Sequence, residues 1–165
     1  MNEPALSACS EEAVALLTSI GVDWALIGAF AALRHRAQGR ETTDVDFLVA
    51  HHEGIPEGLQ DRAFSVTVQR DEGEPWFIRG RKYGVAVEFL VVQTAYQEEA
   101  LRRAIDHVIT AEDVIVHKLI AWRPKDRDDI ESILANPDVT LDETYIEHWA
   151  GEWEVLDRWR EARGR

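Results

Sequence analysis

"GRETTDVDFLV", residues 39 to 49, sets two aspartates one residue apart at the mouth of an apolar run. A β-strand alternates its faces, so Asp44 and Asp46 share one face while Val45, Phe47 and Val49 take the other. Two carboxylates that close repel and raise each other's pKa unless a cation or a donor lies between them. The stretch therefore predicts a strand with one apolar face and something positive in front of the other. A second acid stands out in "YGVAVEFLVV" (83–92), a Val-rich run that reads as a long central strand. Glu88 is its only charge, and a carboxylate among Val, Phe and Leu needs a partner or a function. Either an arginine pairs with it, or it joins Asp44 and Asp46 around a divalent cation, because three acids from two strands could supply the oxygen ligands that Mg²⁺ prefers.

Working outward, "EEAVALLTSI" (11–20) predicts a helix with Ser10 as N-cap and Gly21 closing it. "DWALI" (23–27) is a short strand. Gly28 turns the chain into a second helix, "AFAALRHRA", ended by Gly39. "HHEGIPEG" (51–58) reads as loop, and "FSVTVQR" and "PWFIRGR" flank the turn-forming "DEGE" as a hairpin. After residue 93 the pattern becomes helical: "AYQEEALRRAI", "TAEDVIVHKLIAW", "DRDDIESILA" and two more helices follow. Thr110 with Asp113, and Thr140 with Glu143, have capping-box spacing. The expected organisation is an α/β (α+β) core over 1–93 and a helical segment over 94–165 packed on it. There is no internal repeat or low-complexity stretch.

Composition narrows the function classes. The chain of 165 residues is 45% hydrophobic with six Trp, which suits a packed globule. No apolar run approaches the ~20 residues of a membrane span, and "MNEPALSACSEE" is acidic where a secretory signal is basic, so a soluble cytoplasmic protein is expected. The single Cys9 can form neither an internal disulfide nor a metal motif. A net charge of −13 disfavours tracking a long nucleic-acid duplex. The cations nevertheless cluster, in "RHRAQGR" (34–40), "RGRK" (79–82) and "KLIAWRPKDR" (118–127), where they could serve a small anionic ligand. His51 and His52 are adjacent, so their side chains diverge, and His35 and His117 read as surface or packing residues. Trp149, Trp153 and Leu156 recur at helical spacing and read as a core stripe. No serine carries a nucleophile-elbow motif.

"IGAFAALRHRAQGRETTDVDFLV" (27–49) resembles the signature of the nucleotidyltransferase superfamily: a glycine turn after the first strand, a helix, then a strand carrying Asp-x-Asp. Arg40 and Thr43 before "DVDFLV", with the later "ITAEDVIVHKLIAWRPKDRDDI" (109–130), resemble its AbiEii-like branch and related small domains. The resemblance covers roughly residues 22 to 134 and implies a mixed sheet flanked by helices. It implies that Asp44 and Asp46 hold a catalytic Mg²⁺ or Mn²⁺, and that Glu88 completes the metal site or takes a proton from the attacking hydroxyl. Gly28 and Ala29 would lie along the triphosphate, with Arg40, Thr43, Lys118, Arg123 and Asp126 as further nucleotide-binding residues. A lysine in "VIVHKLIAW" could equally snorkel to water from an amphipathic helix. Two positions depart from the pattern: Ala29 stands where the family often has Gly or Ser, and Glu88 where the third acid is commonly Asp. The implied activity is transfer of a nucleoside monophosphate from a nucleoside triphosphate to a hydroxyl on a small molecule, a protein or an RNA end. The competing expectation is an inactive binding module of the same fold, such as one member of a toxin-antitoxin pair with a protein partner.

Overall fold

A computed structural model describes residues 2 to 164. The N-terminal half runs α1 (Glu3–Ile20), β1 (Trp24–Ile27), α2 (Gly28–His35), β2 (Asp44–Val49), α3 (Ile55–Asp61), β3 (Ser65–Asp71), β4 (Glu74–Lys82) and β5 (Val85–Val91). Five helices follow: α4 (Ala95–Arg103), α5 (Ala111–Ala121), α6 (Pro124–Leu134), α7 (Glu143–Glu152) and α8 (Leu156–Arg163). The strands form one mixed sheet in the order β1-β2-β5-β4-β3. Strands β2 and β5 are parallel, and the other neighbours are antiparallel. β5 is thus the central strand, as its Val-rich sequence requires.

The period of two in β2 and β5 divides the core. Val45, Phe47 and Val49, with Val87, Phe89 and Val91, pack against α1 and α3 in one apolar cluster. Ala25, Ile27 and Leu48 face the opposite way, into a second cluster built mainly from α4 to α8. Asp44 and Asp46 alternate with the first set, and so project on the side that the C-terminal helices cover. Among the described residues no helix is long and apolar enough to cross a membrane.

Local signals account for where the elements depart from expectation. Helix α1 begins well before Ser10, because Asn2 caps it and Pro4 sits in its first turn, while Ser10 donates to the Leu6 carbonyl at 2.7 Å from inside the helix. The stretch read as loop after β2 contains α3, started by Gly54 in the left-handed conformation and by Pro56. Gly and Pro there start a helix of only seven residues, too short for periodicity to reveal. Helix α2 stops at His35 rather than running to Gly39. Thr110 caps α5 as expected, but α7 is capped by Asp142, whose carboxylate accepts from the Tyr145 N–H, and not by Thr140.

Candidate active site

The parallel register sets Asp46 directly opposite Glu88. Burial, then hydrogen bonding to Glu88, then the charges of Glu88 and Asp44 push the Asp46 carboxyl up to about 7. Glu88 also accepts from Arg79 Nε at 2.7 Å across the β4–β5 pair. Glu88 thus has an arginine partner and also stands across from Asp46. Thr43 donates to the Asp44 carboxylate at 3.4 Å, and Thr42 to the Asp44 carbonyl at 3.2 Å. Gly28 is required for a reason the sequence does not show. Its φ is +62°, and a Cβ there would collide with Oδ2 of Asp46.

Among the described residues, no group of three or more His, Cys, Asp or Glu side chains is arranged to hold a metal ion. Glu88 is hydrogen-bonded to Arg79 as well as to Asp46. Asp44 and Asp46 stand adjacent on one strand face, the Asp46 carboxyl raised by burial, by its hydrogen bond to Glu88 and by the charges of Glu88 and Asp44, against which Lys118 works only in part. That donor set fits Mg²⁺, which commonly takes one or two protein carboxylates and fills its other positions with water and phosphate oxygens.

The opposite wall comes from α5 and α6. Lys118 is only 5% exposed, and its Nζ lies 3.0 Å from Asp126 Oδ1 and 2.9 Å from Asp129 Oδ2. Arg40 grips Asp129 through Nε at 2.9 Å and Nη2 at 3.1 Å, and Arg36 binds both Asp128 and Asp129. Arg123 donates to Asp126 through its backbone N–H at 3.0 Å and its Nε at 2.7 Å. Burial raises the Asp126 and Asp129 carboxyls, but hydrogen bonds from Arg123 and Lys118 to the first, and from Arg40 and Lys118 to the second, outweigh it and hold both below the usual value. Two of the three basic clusters, 34–40 and 118–127, are therefore laced to "DRDD", while Arg79 and Lys82 of the third pair with Glu88 and Glu12. Arg123 still keeps 58% of its side chain in solvent.

Between these walls lies a cleft of about 400 Å³ that collects Gly28, Ala29, Arg40, Asp44, Asp46, Glu88, Lys118, Arg123 and Asp126. Of the expected site residues only Thr43 is not in its lining. Sequence reasoning missed Thr42, Lys125, Tyr96, Gln97, His117 and Trp153, which also line it. Trp153 corrects the core-stripe reading: Trp149 packs against the core, whereas Trp153 is 37% exposed at the cleft. It caps the C-terminus of α7, and Glu154 after it is left-handed at φ +56°, so the helical period ends there.

Tyr96 anchors this end of the cleft. Its hydroxyl donates to Asp113 Oδ1 at 3.1 Å, Tyr145 donates to the same oxygen at 2.6 Å, and Thr110 donates to Oδ2 at 2.9 Å. The rings of His117 and Trp149 pack on Tyr96 at 5.5 and 5.0 Å between centroids. Burial, helped by Lys118, pushes the His117 imidazole down to about 4. A histidine so depressed is neutral in the fold yet takes a proton when unfolded below its ordinary 6.5, so its contribution is present above pH 6.5 and is lost on acidification toward 4. His117→Gln is expected to lose about 2 kcal/mol less stability than the parent between pH 7.5 and 5.0, measured by urea denaturation at both values. Equal losses in the two proteins would show that His117 is not held neutral.

No protein-family model matches the chain, and no curated protein matches it by sequence. Solved structures do. A candidate nucleotidyltransferase from H. pylori aligns at a TM-score of 0.57 and 15% identity, over 94% of this chain and 80% of that one. JHP933 from Helicobacter pylori aligns at 0.55 and 15%, over 94% and 81%. The antibiotic-resistance factor ANT(2'')-Ia aligns at 0.53 and 15%, over 99% and 94%. At such identities the likeness speaks for the fold, which is the nucleotidyltransferase-like one: a mixed α/β sheet flanked by helices.

Proposed function

We propose that this chain is a nucleotidyltransferase that moves a nucleoside monophosphate from a nucleoside triphosphate to a hydroxyl acceptor. The observation that carries the reading is the projection of Asp44 and Asp46 from one strand face into a cleft whose far wall carries Arg123 and Lys125. Asp44 and Asp46 would hold Mg²⁺ or Mn²⁺, which when bound supplies positive charge beside the attacking and leaving oxygens. The start of α2 has no side-chain cap, so the first N–H groups of the helix, at Gly28 and Ala29, are left to meet phosphate oxygens. Ala29 offers no hydroxyl, and its contribution is backbone alone. Arg123, more than half exposed, and Lys125 are the solvent-accessible cations for the β- and γ-phosphates. Lys118 stands behind them, holding Asp126 and Asp129 so that α6 presents Arg123, while Arg40 braces Asp129 from the loop before β2. Glu88, beside Asp46 and steadied by Arg79, is placed to take the proton of the attacking hydroxyl.

The block "HKLIAWRPKDRDDI", which resembles the AbiEii-like branch, supplies this α5–α6 wall. With the chain at −13, the acceptor is engaged locally and not along an extended polyanion. The test offers α-labelled nucleoside triphosphates with Mg²⁺ and a cell lysate, and follows the label into metabolite, protein or RNA. Label transfer that requires the protein and Mg²⁺ is expected. No transfer, together with no Mg²⁺-dependent thermal shift by any triphosphate, would overturn the reading in favour of a binding module.

A further inference from the structure

The cleft has two chemically different ends, and the transferase reading employs only one of them. At the charged end stand the aspartates and the α6 cations. At the other, Leu90, Tyr96, His117 and Trp153 form an apolar and aromatic wall, with Gln97 at its edge. A tryptophan 37% exposed beside a tyrosine 2% exposed is a ring face left open next to one that is fixed. The polar groups there are also unmatched. The Gln97 side-chain oxygen accepts the N–H groups of Gln93 at 2.6 Å and Thr94 at 3.1 Å, and its amide nitrogen has no partner among the described residues. The His117 ring likewise has no hydrogen bond to the protein among the described residues, only its edge contact with Tyr96.

We infer that this aromatic end is the nucleobase subsite, in which Trp153 provides the stacking face and Gln97 and His117 offer hydrogen bonds to the base edge. The inference rests on the transferase reading and deepens it. Spacing supports a base here. Leu90 lies two residues beyond Glu88 on the same face of β5, about 7 Å along the strand, which is the reach of one sugar between an α-phosphate at the acids and its base. The chemistry matches too, since every base has a π-face that an aromatic ring can cover, while donors and acceptors at the rim distinguish one base edge from another. Tyr96 cannot swing away, because Asp113 ties its hydroxyl to Tyr145 and Thr110. The tyrosine against which Trp153 packs, 6.5 Å between ring centroids, is thus fixed before any ligand arrives.

Binding of ATP and of inorganic tripolyphosphate, each with Mg²⁺, separates base from phosphate recognition. Trp153→Ala is expected to weaken ATP about tenfold or more and leave tripolyphosphate unchanged, with Trp153→Phe recovering most of the ATP affinity. Unchanged ATP affinity in Trp153→Ala, or equal loss for both ligands, would overturn the subsite and leave the transferase reading standing. Failure of the wild-type protein to bind either ligand would instead remove the reading on which the subsite depends.

Discussion

Replacing Asp129 with alanine is expected to lower folding stability by about 3 to 5 kcal/mol, a large part of the ~5–15 kcal/mol that holds a domain of this size. Asp129 is fully buried and is the shared acceptor of Arg36, Arg40 and Lys118. Its removal leaves Lys118, itself 5% exposed, with Asp126 alone, and frees Arg40 from its two-pronged hold. Buried cations stripped of one carboxylate cost more than that carboxylate's pairing contributes, because the desolvation already incurred is then only partly offset. Urea denaturation at pH 7.5 measures the effect, and a loss below about 1 kcal/mol would show that the cluster relaxes freely. The pH dependence has a definite sign. With its carboxyl held below the usual 3.8, Asp129 contributes its full stabilisation above that value and loses it as pH falls through the folded one. The deficit of the alanine variant therefore shrinks on acidification.

Asp44→Asn and Asp46→Asn are each expected to reduce nucleotide transfer by about a hundredfold or more without loss of stability. Asparagine keeps the shape of the side chain and removes one of two charges that repel across the same strand face. The carboxyl of Asp46 is already pushed to about 7, so Asp46→Asn relieves an unfavourable charge in the ligand-free fold and should unfold at the same or a higher urea concentration than the parent. Loss of activity with stability kept separates a functional acid from a structural one. Variants that transfer nucleotide as fast as the parent would remove both aspartates from the reaction.

The aspartate pair could be read from sequence because it depends only on the two-residue period of one strand. The partner of Glu88 could not. Arg79 reaches it through the β4–β5 register, which is set by the turn at Tyr83 and Gly84 and not by anything near either residue. Lys118 was legible as a cation near the site, but its two carboxylate partners follow from how α5 and α6 pack. The aromatic end of the cleft was hidden by its own pattern. Trp149 and Trp153 are one helical turn apart and look equivalent, but Trp149 lies inside α7 and packs against the core, whereas Trp153 lies just past its last residue and lines the cleft. Helix α3 was hidden by Gly54 and Pro56, residues that break most helices and start this one.

The parallel pairing of β2 with β5 also sets when the site can exist. Asp46 and Glu88 are neighbours across a stretch of chain that holds α3 and the whole β3–β4 hairpin, a long loop whose closure entropy must be met before the contact returns any energy. A nascent chain that has made its first two strands thus exposes the Asp-x-Asp pair with neither its third acid nor its cationic wall. Nucleotide competence should appear in refolding at the last and slowest step, together with full burial of the β5 valines, and no partly folded species should show it.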